Sequence, residues 1–527
     1  MIHIKNSTFN ILNKVKNLKY RIVIDSLIVG ILVGLVIVLN RFLASELGKL
    51  FMSLYKFAKS HVYSIPFVFL ILAILGYFVA KLSKKEPMIS GSGIPQVEGT
   101  LIRKLNMNWL RVLTYKFIGG VACLGAGLSV GREGPSVQMG ACIGQGVSSK
   151  LNKLDYEEKY LITSGASAGL SAAFNAPLSG VMFALEEAHK NFSPLVLLSA
   201  MVASLSADFI SKGFFGIIPS LEFSKLAIMP LKYYWVLIFL GVMVGISGVI
   251  FNTGILKTQS IFKNSKMKIE YKIIIPFLLA GLIGIISPIL LGGGHELIMS
   301  LKGMNFTITT LLIFLFIKFI FTFISFGSGV PGGIFFPLLV LGALVGNIVG
   351  LIGVNYLGIP NEYLMNFVVL AMAGHFAASV KAPITGILLI SEMTGTFEHL
   401  LPLAMVVIIA QLTSDLLNAN PIYEELLDRI LHKQEKGNTE ISTSSKTLLE
   451  IGIELDSFIE GKYIKEINWP KNALVVSITR GNKEILPKGN TKIHVGDYMV
   501  VMTDESASSE VLEDISKLSR SSKTKNS

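Results

Sequence analysis

From Arg21 to Ala419 the chain is a succession of apolar blocks, and their length dictates the solvent into which it folds. A hydrocarbon core about 30 Å thick is crossed by about 20 apolar residues in helical form. Ile22–Phe42, Ile65–Leu82, Trp235–Phe251, Ile273–Leu290, Ile308–Ile324 and Leu400–Leu417 reach or approach that length. Charge is scarce to match: 16% of the 527 residues are charged and 51% hydrophobic, against about 25% charged in soluble domains. The region from about residue 433 onward has ordinary soluble composition. The pattern predicts an all-α polytopic membrane domain over residues 21–432, a linker at 433–438, a small α/β domain at 439–516 and a disordered tail at 517–527.

The net charge of +12 reports topology. Lys14, Lys16, Lys19 and Arg21 precede the first span, Lys81, Lys84 and Lys85 follow the second, and Lys257, Lys263, Lys266, Lys268 and Lys272 fill a later gap. The positive-inside rule makes these loops cytoplasmic, so a multi-pass protein of the inner (cell) membrane with both termini inside is expected. Nucleic acid is not an expected partner, since that would want a basic face on a soluble fold. Residues 1–20 read as an amphipathic helix (Ile4–Tyr20) on the inner membrane surface, with no targeting peptide. Cys123 and Cys142 lie in apolar segments and suggest neither a metal site nor a disulfide. No cofactor is expected.

Between the long blocks lie shorter ones broken by glycine and proline: Val112–Leu128, Ser136–Val147, Ile162–Phe174, Leu178–Leu185, Phe335–Val349, Val368–Val380 and Ile384–Ile390. Irregular backbone at membrane depth is tolerated where protein shields it or where it lines a polar cavity. These breaks are duplicated. Gly131-Arg132-Glu133-Gly134-Pro135 is followed by Gly140-Ala141 and Gly144, and Gly333-Ile334-Phe335-Phe336-Pro337 by Gly342-Ala343 and Gly346, at equal offsets. Ala176-Pro177-Leu178-Ser179-Gly180 leads to Glu186, and Ala382-Pro383-Ile384-Thr385-Gly386 to Glu392. Two motifs recurring in one order roughly 200 residues apart indicate an internally duplicated transmembrane unit with a site between the halves. The alternative is that glycine and proline simply recur in membrane helices.

Three motifs, Gly91-Ser92-Gly93-Ile94-Pro95, the one holding Glu133, and Gly333–Pro337, read as helix N-termini inside the membrane. Each such end offers free N–H groups and about +0.5 charge, so several converging would hold an anion without a full cation that would retain it. Ser92 adds a hydroxyl donor. A glycine bend made for helix packing is the plainer reading of any one motif. Glu133 is the residue with most at stake. Ionised, it competes with a bound anion; protonated, it releases the site, which links proton binding to anion movement. Its structural alternative is a pair with Arg132. Of Glu186 and Glu187, one is a candidate proton station facing the cytoplasm and the other a salt-bridge or helix contact, with end-of-helix solvation as the competing reading.

Two further patterns carry less. Gly165-Ala166-Ser167-Ala168-Gly169 matches the nucleophile elbow of hydrolases but lacks the preceding strand, and His375 is its one obvious base, without an acid partner. An intramembrane serine hydrolase is therefore a remote alternative. Gly327–Gly332 matches a dinucleotide pattern with proline in its loop and membrane sequence around it.

Taken together, Gly91–Pro95, Gly131–Pro135 and Gly333–Pro337 closely resemble the three signature motifs of the CLC chloride channel and transporter family, over residues 20 to 432. The resemblance implies a homodimer with one pore per subunit, each of two inverted halves with broken helices. By position it implies that Ser92, the amides of Ile334 and Phe335, and the Tyr423 hydroxyl contact chloride. It makes Glu133 the external gating glutamate and Glu187 the internal proton-transfer glutamate that exchangers in the family generally keep. A chloride/proton antiporter that is not an enzyme follows, with a passive voltage- or pH-gated chloride channel of the same fold as the alternative. Ser92 resembles chloride-preferring members, where nitrate-preferring ones tend to carry proline. The intact Glu133 motif and Tyr423 speak against the fluoride-exporting branch.

The tail is polar over Glu424–Asn438, a short helix and linker. Strands are then expected within Thr439–Leu455 (Ile451, Ile453 and Leu455 alternating), Ala473–Thr479, Glu484–Pro487, Lys492–Val495 and Asp497–Met502, with a turn at Arg480-Gly481-Asn482. It is too short for the paired CBS domains common in the family. Lys471–Thr479, Lys488–Thr491 and Val495–Asp497 instead resemble the C-terminal RCK module of potassium-uptake regulators. That resemblance implies dimer pairing and a small ligand, a cyclic dinucleotide being one candidate, or a purely structural clamp.

Overall fold

The computed structural model describes residues 2–190, 193–217, 219–221, 223, 226–435, 446–453, 457–480, 483–504 and 508–519. They fall into two compact units, Met1–Lys433 and Gln434–Ser527.

The first unit is helical. Its first eight helices are α1 (Ile2–Ser60), α2 (Ile65–Lys85), α3 (Ile94–Leu101), α4 (Trp109–Gly125), α5 (Glu133–Lys150), α6 (Asp155–Phe174), α7 (Pro177–Phe183) and α8 (Pro194–Phe215). The next eight are α9 (Tyr234–Asn264), α10 (Ile269–Ile286), α11 (His295–Gly303), α12 (Ile308–Gly327), α13 (Phe335–Tyr356), α14 (Leu364–Val380), α15 (Pro383–Thr394) and α16 (Leu400–Leu416), before α17 (Ile422–Glu435) closes the unit. Among the described residues eight helices are long and apolar enough to cross a membrane. Their outward faces carry exposed Leu, Ile and Phe, while α13 and α14 are almost wholly enclosed. This is a multi-pass membrane protein.

Several boundaries differ from the sequence expectation. The membrane-surface helix and the first span form one continuous α1, because Ile2–Val29 contains neither glycine nor proline to break it. The amphipathic character expected of Ile4–Tyr20 falls on side chains outside the described set up to residue 18. α8 is a full span that apolar run length missed, since Ser199, Ser204, Asp208 and Ser211 dilute it; all four are buried. α3 and α11 are short helices that no hydrophobic window resolves.

The eight-and-eight order is a structural repeat. Left-handed glycines open α3 and α11 alike, Gly93 at φ 99° and Gly294 at φ 105°. Left-handed Asn175 (φ 58°) and Lys381 (φ 67°) close α6 and α14 just before the Ala-Pro that starts α7 and α15. Buried lysines occupy matching places: Lys116 donates to the carbonyls of Ile89 (2.8 Å) and Gly91 (2.7 Å), Lys318 to those of Leu290 (3.0 Å) and Gly292 (2.6 Å). Each secures the loop that leads into a short helix.

In the second unit, β1 (Lys446–Gly452), β2 (Leu474–Arg480), β3 (Lys483–Ile485) and β4 (Tyr498–Asp504) form an antiparallel sheet in the order β1-β4-β2-β3, followed by α18 (Ser508–Ser519). Val511 and Ile515 of α18 pack with Ile451, Ile478, Met499 and Val501. Lys492–Val495 is not a strand; Lys492 makes one isolated bridge with Tyr463. The helix reaches Ser519, beyond the expected end of the domain at 516. Leu455, the 481–482 turn, residues 436–438 of the linker and residues 520–527 lie outside the described residues, while α17 runs into the linker as far as Glu435.

Candidate functional site

The irregular segments between helices meet in the interior. The N–H of Gly131 donates to the Gly333 carbonyl at 2.7 Å, and the N–H of Gly333 returns to the Gly131 carbonyl at 2.8 Å. This reciprocal pair is antiparallel, so the starts of α5 and α13 approach each other about a local two-fold axis. The loop into α3 joins them: a Cβ on Gly134 would stand 2.2 Å from Ser92 Oγ and 2.8 Å from the Ser92 carbonyl. Only glycine permits that approach. Three helix N-termini thus share one place.

At that place the predicted residues are buried. Glu133 is 1% exposed; a side chain on Gly131 would strike its Oε2 at 2.2 Å and the Phe336 amide nitrogen at 3.1 Å, so carboxylate and amide lie side by side. Arg132 Nε is 3.9 Å from Glu133 Oε1, an outer-range contact that leaves both atoms without a hydrogen bond. Ile334 is the N-cap of α13 and Phe335 its first residue, with the Phe335 ring held between Phe174 (5.2 Å) and Phe376 (4.6 Å). Tyr423, in the first turn of α17, is fully buried with Ser92, Glu133 and Glu187 among its neighbours. Ser92 Oγ, Tyr423 Oη, both oxygens of Glu133 and Glu187 Oε1 are buried without a protein partner. Orphaned groups of this kind are costly, and their gathering marks a place built for something other than packing.

Glu186 and Glu187 separate cleanly. Glu186 accepts from the N–H groups of Ile384 (3.2 Å) and Thr385 (2.8 Å) and from Thr385 Oγ1 (2.7 Å), capping α15. Glu392, at the end of α15, accepts from Leu178 N–H (3.0 Å), Ser179 N–H (2.8 Å) and Ser179 Oγ (2.5 Å), capping α7. The two repeats exchange caps. Glu187 has no such duty: it stands in a π-helical turn, Ala184–Ala188, that extends α7, and is 4% exposed. Its counterpart in α15 is Met393, inside an uninterrupted α-helix. Beside Glu187 lies Glu98 of α3, also 4% exposed, both of whose oxygens lack a partner. Sequence reasoning missed Glu98; a carboxylate three residues after Pro95 was its available signal.

The elbow reading of Gly165–Gly169 meets a different geometry. These residues sit within α6, and a Cβ on Gly165 would be 2.1 Å from the Gly140 carbonyl, so the glycines serve close packing of α5 on α6. Ser167 Oγ shares a hydrogen bond with Ser204 Oγ at 2.6 Å, while His375 Nε2 meets Ser247 Oγ at 3.2 Å. Gly327–Gly332 ends α12 and leads to α13, where the Gly91 and Gly332 backbones pair.

Fold and site together define a polytopic membrane protein in which two repeats bring broken helix ends to a shared buried centre. The family model described as voltage gated chloride channel matches residues 78–415, and a TrkA-C domain model matches residues 448–516. The chain belongs to the voltage-gated chloride channel (CLC) family. It is 35% identical over 431 residues, 80% of this chain and 90% of the other, to a Yersinia pseudotuberculosis protein named H(+)/Cl(-) exchange transporter ClcA. A Salmonella paratyphi A protein of the same name is 37% identical over 372 residues, 69% of this chain and 78% of that one. Among solved structures, a slow cyanobacterial Cl-/H+ antiporter superposes with a TM-score of 0.75 at 30% identity, covering 79% of this chain and 99% of that chain. A eukaryotic CLC transporter shares the fold, with a TM-score of 0.66 at 22% identity, over 79% of this chain and 75% of that chain.

Proposed function

We propose that the protein exchanges chloride for protons across the membrane. The observation that carries this reading is Glu133, a buried carboxylate at the start of α5, beside the Phe336 amide and near two hydroxyls that no protein group satisfies. Ionised, Glu133 takes the place that the helix starts make favourable for negative charge. Protonated, it swings aside, and chloride enters against Ser92 Oγ, the amides of Ile334 and Phe335, and Tyr423 Oη. The proton leaves Glu133 for Glu187, with Glu98 beside it, and so to the interior. Each cycle returns Glu133 to the carboxylate, which expels chloride from its place. Partial charges hold the anion weakly enough for release, while the buried amines of Lys116 and Lys318 are engaged by backbone carbonyls.

The same reading includes a homodimer in the cell membrane with cytoplasmic termini, and a C-terminal domain that pairs or binds a small ligand. The cytoplasmic placement of the basic loops is supported by the Lys84–Glu270 pair, which joins two of them on one side. Chloride efflux and external pH recorded together from loaded liposomes test the function. Proton uptake driven by the chloride gradient and lost in Glu187→Gln is the expected result. Efflux without proton movement would make the protein a passive channel. The same assay on Ser167→Ala addresses the hydrolase alternative, and transport should be unchanged.

A further inference from the structure

We propose that Glu424 is the cytoplasmic proton station of the exchange cycle, taking protons from the buried Glu98–Glu187 pair and passing them to water, with Lys190 as the positioning cation between them. The proposal deepens the exchange reading and rests on it. Lys190 Nζ donates to Glu424 Oε1 at 2.5 Å, joining the chain just after the π-turn Ala184–Ala188 to the first turn of α17. The two side chains are 42% and 49% exposed, and a surface ion pair of that kind adds little to stability. Their inward neighbours give the pair another use. The charged groups that act on Glu98 and Glu187 are each other, Lys190 and Glu424; those that act on Lys190 are the same three carboxylates. Asn191 and Phe192, which follow Lys190 in the chain, carry no charge. Neither oxygen of Glu98 nor Oε1 of Glu187 has a hydrogen-bond partner among the described residues. One cation thus serves three carboxylates, two enclosed and one open to water.

A single cation balances one carboxylate at a time, so the protons of such a cluster belong to the group and move within it. With Lys190 paired to Glu424, the enclosed carboxylates have no counter-charge, and a proton arriving from Glu133 stays with them. In the transfer, the O–H bond of that carboxyl breaks and an O–H bond forms on Glu424, while Lys190 balances the carboxylate left behind. Glu424 then gives the proton to water and regains Lys190. The nearby carboxylates are otherwise engaged: Glu186 caps α15, and Glu425 Oε1 accepts from Asn420 Nδ2 at 2.6 Å. Contacts place the pair on the basic side of the membrane. His189 Nδ1 meets Thr163 Oγ1 at 2.9 Å in the first half of α6, where Glu157 pairs with Arg21 at the end of the run Lys14–Arg21. α17 is held from α9 by Asn252 Nδ2 on the Asn420 carbonyl (3.2 Å) and by Arg429 Nη1 on the Leu256 carbonyl (2.9 Å) and Ser260 Oγ (2.9 Å). The latter contacts adjoin the loop of Lys263, Lys266 and Lys268.

The full chain in liposomes, with chloride efflux and proton uptake recorded together, tests this. Glu424→Gln keeps the shape of the side chain and an oxygen for Lys190 but takes up no proton. Proton flux should fall about fivefold while chloride flux stays within about twofold, so the ratio of protons to chloride drops. Glu424→Asp should keep that ratio, and so should Glu425→Gln, which removes the neighbouring carboxylate. A clasp that only held α17 would change both fluxes by the same factor, and that result overturns the proposal. So does an unchanged ratio in Glu424→Gln, or an equal loss of ratio in Glu424→Asp. If Glu424→Gln yields no folded protein, Lys190→Gln decides: its ratio should drop while Lys190→Arg keeps it, and an unchanged ratio in Lys190→Gln overturns the scheme. A parent chain that moves chloride without protons would overturn the exchange reading itself, and this proposal with it; a parent that exchanges beside an unaffected Glu424→Gln overturns this proposal alone.

Discussion

Glu133 and Glu187 are both buried carboxylates, and the difference between them lies in their surroundings. Glu133 sits among helix starts and an amide, Glu187 beside a second carboxylate, Glu98. Glu133→Gln or Ala is therefore expected to reduce proton flux below about one-tenth of wild type, since no group at the proposed anion site then changes charge. Glu187→Gln should spare chloride flux and abolish proton flux. Both are read in the two-ion liposome assay, and continued proton pumping in either variant would sink the scheme. In the C-terminal unit, buried Asp497 receives Arg480 Nε and Nη2 at 2.8 Å each, and the His494 N–H at 2.9 Å. Burial pushes its carboxyl up, but the guanidinium and the N–H outweigh it and hold Asp497 below the usual carboxylate range. A depressed acid contributes stability above its unfolded pKa of about 3.9 and loses it as pH falls through the folded value. Asp497→Asn should cost about 2 kcal/mol, less than a fully buried pair because Arg480 is 39% exposed, with the loss confined to neutral pH and absent in strong acid. Hydrogen exchange of the β2 and β4 amides measures it.

At the scale of elements, the exchanged caps tie α7 to α15. Each carboxylate satisfies two N–H groups that a helix start leaves open, so Glu186→Ala or Glu392→Ala should cost about 1–2 kcal/mol in detergent unfolding. Gly165→Val should cost more, because a Cβ there lies 2.1 Å from the Gly140 carbonyl and α5 and α6 must separate. Helix identities in this region were largely legible: the spans of α2, α12 and α16 and the starts of α3, α5 and α13 follow from apolar length and from glycine and proline. α8 was not, since its buried serines and Asp208 resemble surface until a neighbouring helix covers them. Nor was the π-turn at Ala184–Ala188, because nothing local distinguishes Ala-Leu-Glu-Glu-Ala from an ordinary helix end. Lys492–Val495 misled in the other direction: among the described residues this short alternating stretch pairs only at Lys492 with Tyr463, too briefly to make a ladder.

The whole molecule divides at residue 433, each unit with its own core. Truncation after Glu435 should therefore leave exchange in liposomes within about twofold of the full chain, a change too small to involve the buried centre. Loss of all transport in a well-folded truncation would mean the second unit is needed for the cycle. By itself the sequence determined the solvent, through run length and scarce charge, and the duplication, through motifs at equal offsets; it singled out carboxylates in apolar runs as candidates without separating helix caps from the rest. Tertiary structure alone decided which carboxylates are structural. Glu186 and Glu187 are neighbours of one kind in sequence, yet one meets the N–H groups of a helix some 200 residues away and the other meets Glu98. Partners so distant in the chain are chosen by packing of the two repeats, which no local pattern encodes.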